Sequence, residues 1–78
     1  MKVVYFPYES VSRLPEVGKY ITYGIRGMRK KPGGWVCEVD IGDISTDGHL
    51  VRCLAETCTR FELDPIHLHD IVEDMLEE

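Results

Sequence analysis

The apolar residues of this 78-residue chain change their spacing once, and the change divides the chain into two halves that must fold differently. From Lys19 to about residue 42 they recur at every second position; from Leu50 they recur at every third or fourth. A period of two suits a strand with one buried face, and a period of 3.6 suits a helix with one apolar stripe. Strands first and helices afterwards point to an α+β fold.

In the first half, Val3 to Phe6 is a short β-branched and aromatic run that Pro7 is expected to stop. Residues 8–18 hold Ser10, Ser12, Pro15 and Gly18 and read as a loop. Ile21, Tyr23 and Ile25 then alternate with Tyr20, Thr22, Gly24 and Arg26. Trp35, Cys37, Val39 and Ile41 alternate in the same way with Val36, Glu38, Asp40 and Gly42. Between these runs lies Arg29-Lys30-Lys31-Pro32-Gly33-Gly34, which is turn chemistry, so the two runs form an antiparallel hairpin. The alternation places Cys37 in the inward set with Trp35 and Val39, and leaves Tyr20 and Val36 on the face free for a partner.

In the second half, Ser45, Thr46 and Asp47 are candidate N-caps. Leu50, Leu54, Cys58 and Phe61 follow at helical spacing, and Arg60 suits the negative end of the helix dipole. Asp64-Pro65 is a second start signal, because a proline at the first helical position gives up only an N–H that has no partner there. Leu68, Ile71, Val72, Met75 and Leu76 then form one stripe. The expected order is β-β-β-α-α in one domain, with strands at about 2–6, 19–28 and 35–42 and helices at about 47–62 and 65–77. Both helices pack on one face of a small antiparallel three-stranded sheet.

Charge is distributed as unevenly as periodicity. Residues 1–39 carry seven basic and three acidic side chains, and residues 40–78 carry two basic and eleven acidic ones, within a net charge of −5. A basic cluster, Arg26, Arg29, Lys30 and Lys31, sits near the hairpin turn. The last helix carries Asp70, Glu73, Asp74, Glu77 and Glu78. These surfaces are complementary, so contact with another protein or with a second copy of the chain would be favourably steered. A core this small supplies only about 3–5 kcal/mol, which makes association an expected further source of stability.

Other chemistry lacks the spacing it needs. Cys53 and Cys58 stand about 140° apart around a helix, and His67 and His69 fall on nearly opposite faces. Neither pair suits a metal, and no Cys-x-x-Cys occurs. His69 and Glu73 are helical neighbours, a spacing that is usually a solvated pair. No phosphate loop, dinucleotide fingerprint or nucleophile triad appears. The reading is therefore of no catalytic, cofactor or metal site and no identified small molecule. The three cysteines, an odd count, and the lack of a leader-like or membrane-length apolar run suggest a cytoplasmic setting.

Asp43-Ile44-Ser45-Thr46-Asp47, Phe61-Glu62-Leu63-Asp64-Pro65 and the tail His67-Leu68-His69-Asp70-Ile71-Val72-Glu73-Asp74-Met75-Leu76 resemble an uncharacterised family of short bacterial proteins with a similar "HL-D-VVED-L" ending. Tyr23-Gly24-Ile25 is similar to that family's first clear strand. The resemblance covers about the last two thirds of the chain and carries no activity. It singles out His67, Leu68, Asp70 and Asp74.

The functional expectation is a non-catalytic protein-interaction or regulatory module, with a homodimer among the candidates. Its candidate surface comprises Arg26, Arg29, Lys30, Lys31, Tyr20, Val36, His67, His69, Asp70, Glu73 and Asp74. The alternative is a nucleic-acid-binding accessory protein using the basic hairpin 26–31. The −9 of the second half opposes a polyanion, and the last helix has no base-reading side chain.

Overall fold

The computed structural model of the chain describes residues 2–76. Strands β1 (Val3–Leu14), β2 (Gly18–Lys31) and β3 (Gly34–Ser45) form an antiparallel sheet in the order β1-β2-β3. Helix α1 (Gly48–Arg60), a 3-10 turn (Pro65–His67) and helix α2 (Leu68–Leu76) follow. This is the α+β arrangement that the change of period implies.

The first strand is twice as long as the sequence suggests. It pairs with β2 without interruption from Val3 opposite Arg29 to Leu14 opposite Gly18, so that of residues 8–18, which read as a loop, 8–14 are strand and 15–17 form the turn. Pro7 does not stop it, because β1 is an edge strand. The Tyr5 N–H points outward, and Pro7 lies in the same phase, so its missing N–H removes no ladder bond. The other bounds shift by a few residues. The second expected helix divides into the 3-10 turn and α2, and its expected end at 77 lies outside the described residues.

A β-bulge decides which side chains face the helices. The β2–β3 register shifts between Gly27 and Met28, leaving Glu38 as the extra residue. Val39 and Ile41, opposite Gly27 and Ile25, therefore point to the helix side. Trp35 and Cys37, opposite Lys30 and Met28, point to the other side. Cys37 is thus exposed and not in the core. Strict alternation failed there because one added residue inverts the phase.

The core lies between one sheet face and the two helices. Val3, Tyr5, Ile25 and Ile44 meet Val51, Ala55 and Cys58 of α1 and Leu68 and Val72 of α2. Gly27 permits this. A Cβ there would lie 2.8 Å from Val39 Cγ1 and 2.9 Å from Tyr5 Cε1. The Tyr5 ring instead lies across the glycine, and its hydroxyl donates to the Leu63 carbonyl in the link between the helices.

Local sequence sets the helix ends. The Asp47 carboxylate caps α1, accepting from the N–H groups of His49 and Leu50. At the other end Glu62 N–H bonds Thr59 O and Leu63 N–H bonds Cys58 O, which is a Schellman motif. Asp64 caps the 3-10 turn, with Pro65 at its start.

The helices cover only part of the sheet. The fourteen residues of β2 reach roughly 46 Å at about 3.3 Å each, and the long dimension of the molecule is 45 Å. The thirteen residues of α1 span only about 20 Å. The β1–β2 hairpin therefore runs on beyond the helices. Val11 and Ile21, paired across it, are 66% and 50% exposed. No helix among the described residues is long and apolar enough to cross a membrane.

Candidate functional site

The sheet face turned away from the helices carries a built surface. Phe6 from β1, Met28 from β2 and Trp35 from β3, with Tyr8 and Arg26, line an open groove of about 390 Å³. Phe6 and Trp35 are 47% and 50% exposed. Large apolar side chains left half in water and gathered in one place mark a contact surface more strongly than scattered ones do.

Glycine and charge hold the groove in shape. A Cβ on Gly24 would lie 2.5 Å from the Ile41 carbonyl oxygen and 2.9 Å from Tyr8 Cζ. The Tyr8 ring lies over that bare stretch of β2 and reaches β3, where its hydroxyl donates to Asp40 Oδ1 at 2.5 Å. Arg26 completes the group. It pairs with Asp40 Oδ2 at 3.2 Å and sits over the Tyr8 ring, 4.6 Å from its centre. The Tyr8 hydrogen bond and the Arg26 guanidinium hold the Asp40 carboxyl below its usual range, and the same hydrogen bond raises the Tyr8 phenol. Asp40 thus stays an anion and acts as a fixed bracket for both partners.

Lys30 stands at the far end, its ammonium 5.4 Å from the centre of the Trp35 ring. Among the described residues the ion pairs are Arg26–Asp40 and Arg29–Glu38, and neither includes Lys30. An apolar floor with a cation held over an aromatic rim can take an apolar side chain and a neighbouring carboxylate.

The residues singled out by sequence do not form one patch. Strand alternation sends Arg26 and Lys30 to the open face and Arg29 and Lys31 to the helix side. Tyr20 lies toward the distal hairpin, with its hydroxyl 3.4 Å from Asp43 Oδ2. Val36 is opposite Arg29 on the other side of the sheet from Tyr20. Arg29 and His69 do come together. With Glu38, Val39 and Asp64 they line a cleft of about 420 Å³ between sheet and helices, where Arg29 bonds Glu38 at 2.7 Å. His67, Asp70, Glu73 and Asp74 are exposed on the outer helical surface.

Two features were missed. Phe6, Tyr8 and Met28 become neighbours of Trp35 only through the strand register, which no local pattern displays. His49 and Cys53 approach to 3.6 Å on the surface of α1, and their i, i+4 spacing was a readable signal. Among the described residues, no three His, Cys, Asp or Glu side chains gather in a way that could hold a metal ion.

Fold and surface together define a small two-layer α+β domain with one sheet face under helices and the other presenting an aromatic groove. The chain belongs to a family of unknown function (DUF6514), whose model matches residues 1–78. The match takes in the first strand as well as the last two thirds that carried the resemblance. No curated protein and no solved structure matches the chain.

Proposed function

We propose that this protein is a non-catalytic binding module whose ligand is a segment of another protein, received on the open face of the sheet. The segment places an apolar side chain between Phe6 and Trp35 and a carboxylate beside Lys30. The observation that carries the reading is the groove itself, whose half-exposed aromatics are braced by the Tyr8–Asp40–Arg26 group. A braced, preformed surface loses little freedom when it binds, so more of the contact energy becomes affinity.

The same aromatics would suit stacked bases. Two observations favour a protein. Arg26 is already neutralised by Asp40, and the four basic residues of the hairpin are split between two faces, so no continuous cationic track follows a phosphate backbone.

Selection of displayed peptides on the immobilised chain tests this, with Trp35→Ala as counter-selection. The expected winners carry an apolar residue next to Asp or Glu and are lost on Trp35→Ala. Failure to enrich any peptide, together with salt-sensitive retention on single-stranded polynucleotide, would replace the protein reading with the nucleic-acid one.

A further inference from the structure

The helix-covered side of the sheet has a step in it. The helices rise over the end where Val3, Tyr5 and Ile25 lie, and the distal β1–β2 hairpin continues bare beyond them. On that bare stretch the rungs of the ladder pair Val11 with Ile21 and then Arg13 with Lys19, all on the side facing the helices. Two cations directly opposite each other on one face destabilise an isolated hairpin. Among the described residues neither has an ion-pair partner, the pairs being Arg26–Asp40 and Arg29–Glu38. An apolar rung followed by a repulsive basic rung is a surface fitted to something apolar and acidic.

The chain itself carries such a surface. On α2, Leu68 and Val72 face the core. About 60° around the axis from Leu68, Ile71 is 36% exposed, with Asp74 one turn further along and Asp70 next to it in the chain. Among the described residues neither carboxylate belongs to an ion pair. Ile71 matches the Val11–Ile21 rung, and Asp70 and Asp74 match Arg13 and Lys19.

We propose that a second copy of the chain fills the step, related by a two-fold axis, with α2 of each copy lying across the distal hairpin of the other. The thick end of one molecule then occupies the thin end of its partner. A two-fold arrangement uses the contact twice and so doubles the area that one patch buries, where a specific interface needs roughly 1,000 Å². The surface is separate from the groove on the open face, so the two readings stand or fall independently.

Charge reversal on the full chain tests the arrangement. Arg13, Lys19, Asp70 and Asp74 are all exposed, and far-UV circular dichroism checks that each variant folds. Sedimentation equilibrium from micromolar to millimolar protein is expected to give a dimer for the wild type. Arg13→Glu/Lys19→Glu and Asp70→Lys/Asp74→Lys should each weaken it by more than about tenfold. Mixed in equal amounts, the two variants should recover a dimer, because both contacts of the mixed pair again oppose unlike charges. A monomeric wild type, a reversed variant that dimerises as tightly as the wild type, or a mixture that stays monomeric would each overturn the proposal.

Discussion

The hydroxyl of Thr59 occupies the outer edge of the sheet at Tyr5. Its Oγ1 accepts from the Tyr5 N–H at 2.9 Å and lies 3.4 Å from the Tyr5 carbonyl oxygen. An edge strand leaves such groups open to pairing with another chain, and here a helix side chain takes the N–H, its own proton being shared with the nearer Ala55 carbonyl at 3.0 Å. Pro7, two residues on, offers no N–H at all. The Thr59 bond should therefore matter more than its size suggests. Thr59→Val leaves the Tyr5 N–H without its partner and is expected to cost about 1–3 kcal/mol. Urea denaturation should show a lower midpoint at unchanged slope, with most of the loss restored in Thr59→Ser.

The glycines beneath the two crossing tyrosines differ in kind from the turn glycine Gly33. A methyl at Gly24 meets the Ile41 backbone oxygen at 2.5 Å, whereas nothing lies within 4 Å of one at Gly33. Gly24→Ala and Gly27→Ala should each destabilise by about 1–3 kcal/mol, through displaced backbone and ring respectively. Gly33→Ala should be neutral within about 0.5 kcal/mol. Thermal melts of the three variants check the ranking.

Glu62 adopts a φ of 52° in the Schellman motif that ends α1. That conformation costs a residue with a Cβ about 1–2 kcal/mol and costs glycine almost nothing. Glycine also gains freedom in the unfolded chain, which takes back part of the difference. Glu62→Gly should therefore raise stability by about 0.5–1 kcal/mol. A lower melting temperature would show that the Glu62 side chain contributes more than the strain it imposes.

Burial, with the nearby charges of Cys58 and Asp64 adding to it, pushes the Tyr5 phenol from its ordinary 10.0 up to about 12. The folded chain then holds its proton in a range where the unfolded chain has already released it. The contribution is complete below pH 10 and is lost as the pH rises from 10 to about 12. It amounts to at most about 3 kcal/mol. Chemical denaturation across this range should show a steeper fall for the wild type than for Tyr5→Phe.

Much of the fold could be read from the sequence because local signals govern it. The change of apolar period, the Asp47 cap and the Asp64-Pro65 start each act within a few residues of themselves. The length of β1 could not be read, since Pro7 and the serines after it look like a stop. What carries the strand through is pairing with β2, and only an edge position makes the proline harmless. The groove was hidden for a related reason. Arg26, Arg29, Lys30 and Lys31 are close in sequence but lie on two faces, while Phe6, Met28 and Trp35 are far apart in sequence and adjacent in space. The bulge at Glu38 turned Trp35 and Cys37 outward, and nothing in the alternation announces it.

Trp35 is the only tryptophan in the chain and forms one wall of the groove, so its fluorescence reports directly on whether the open face binds a protein segment. Peptides selected on the chain should shift Trp35 emission to shorter wavelength, saturably. Phe6→Ala should weaken their binding by about tenfold or more, and Asp70→Lys/Asp74→Lys should leave it unchanged. Binding that leaves Trp35 emission unmoved, or that Phe6→Ala does not weaken, would contradict the account.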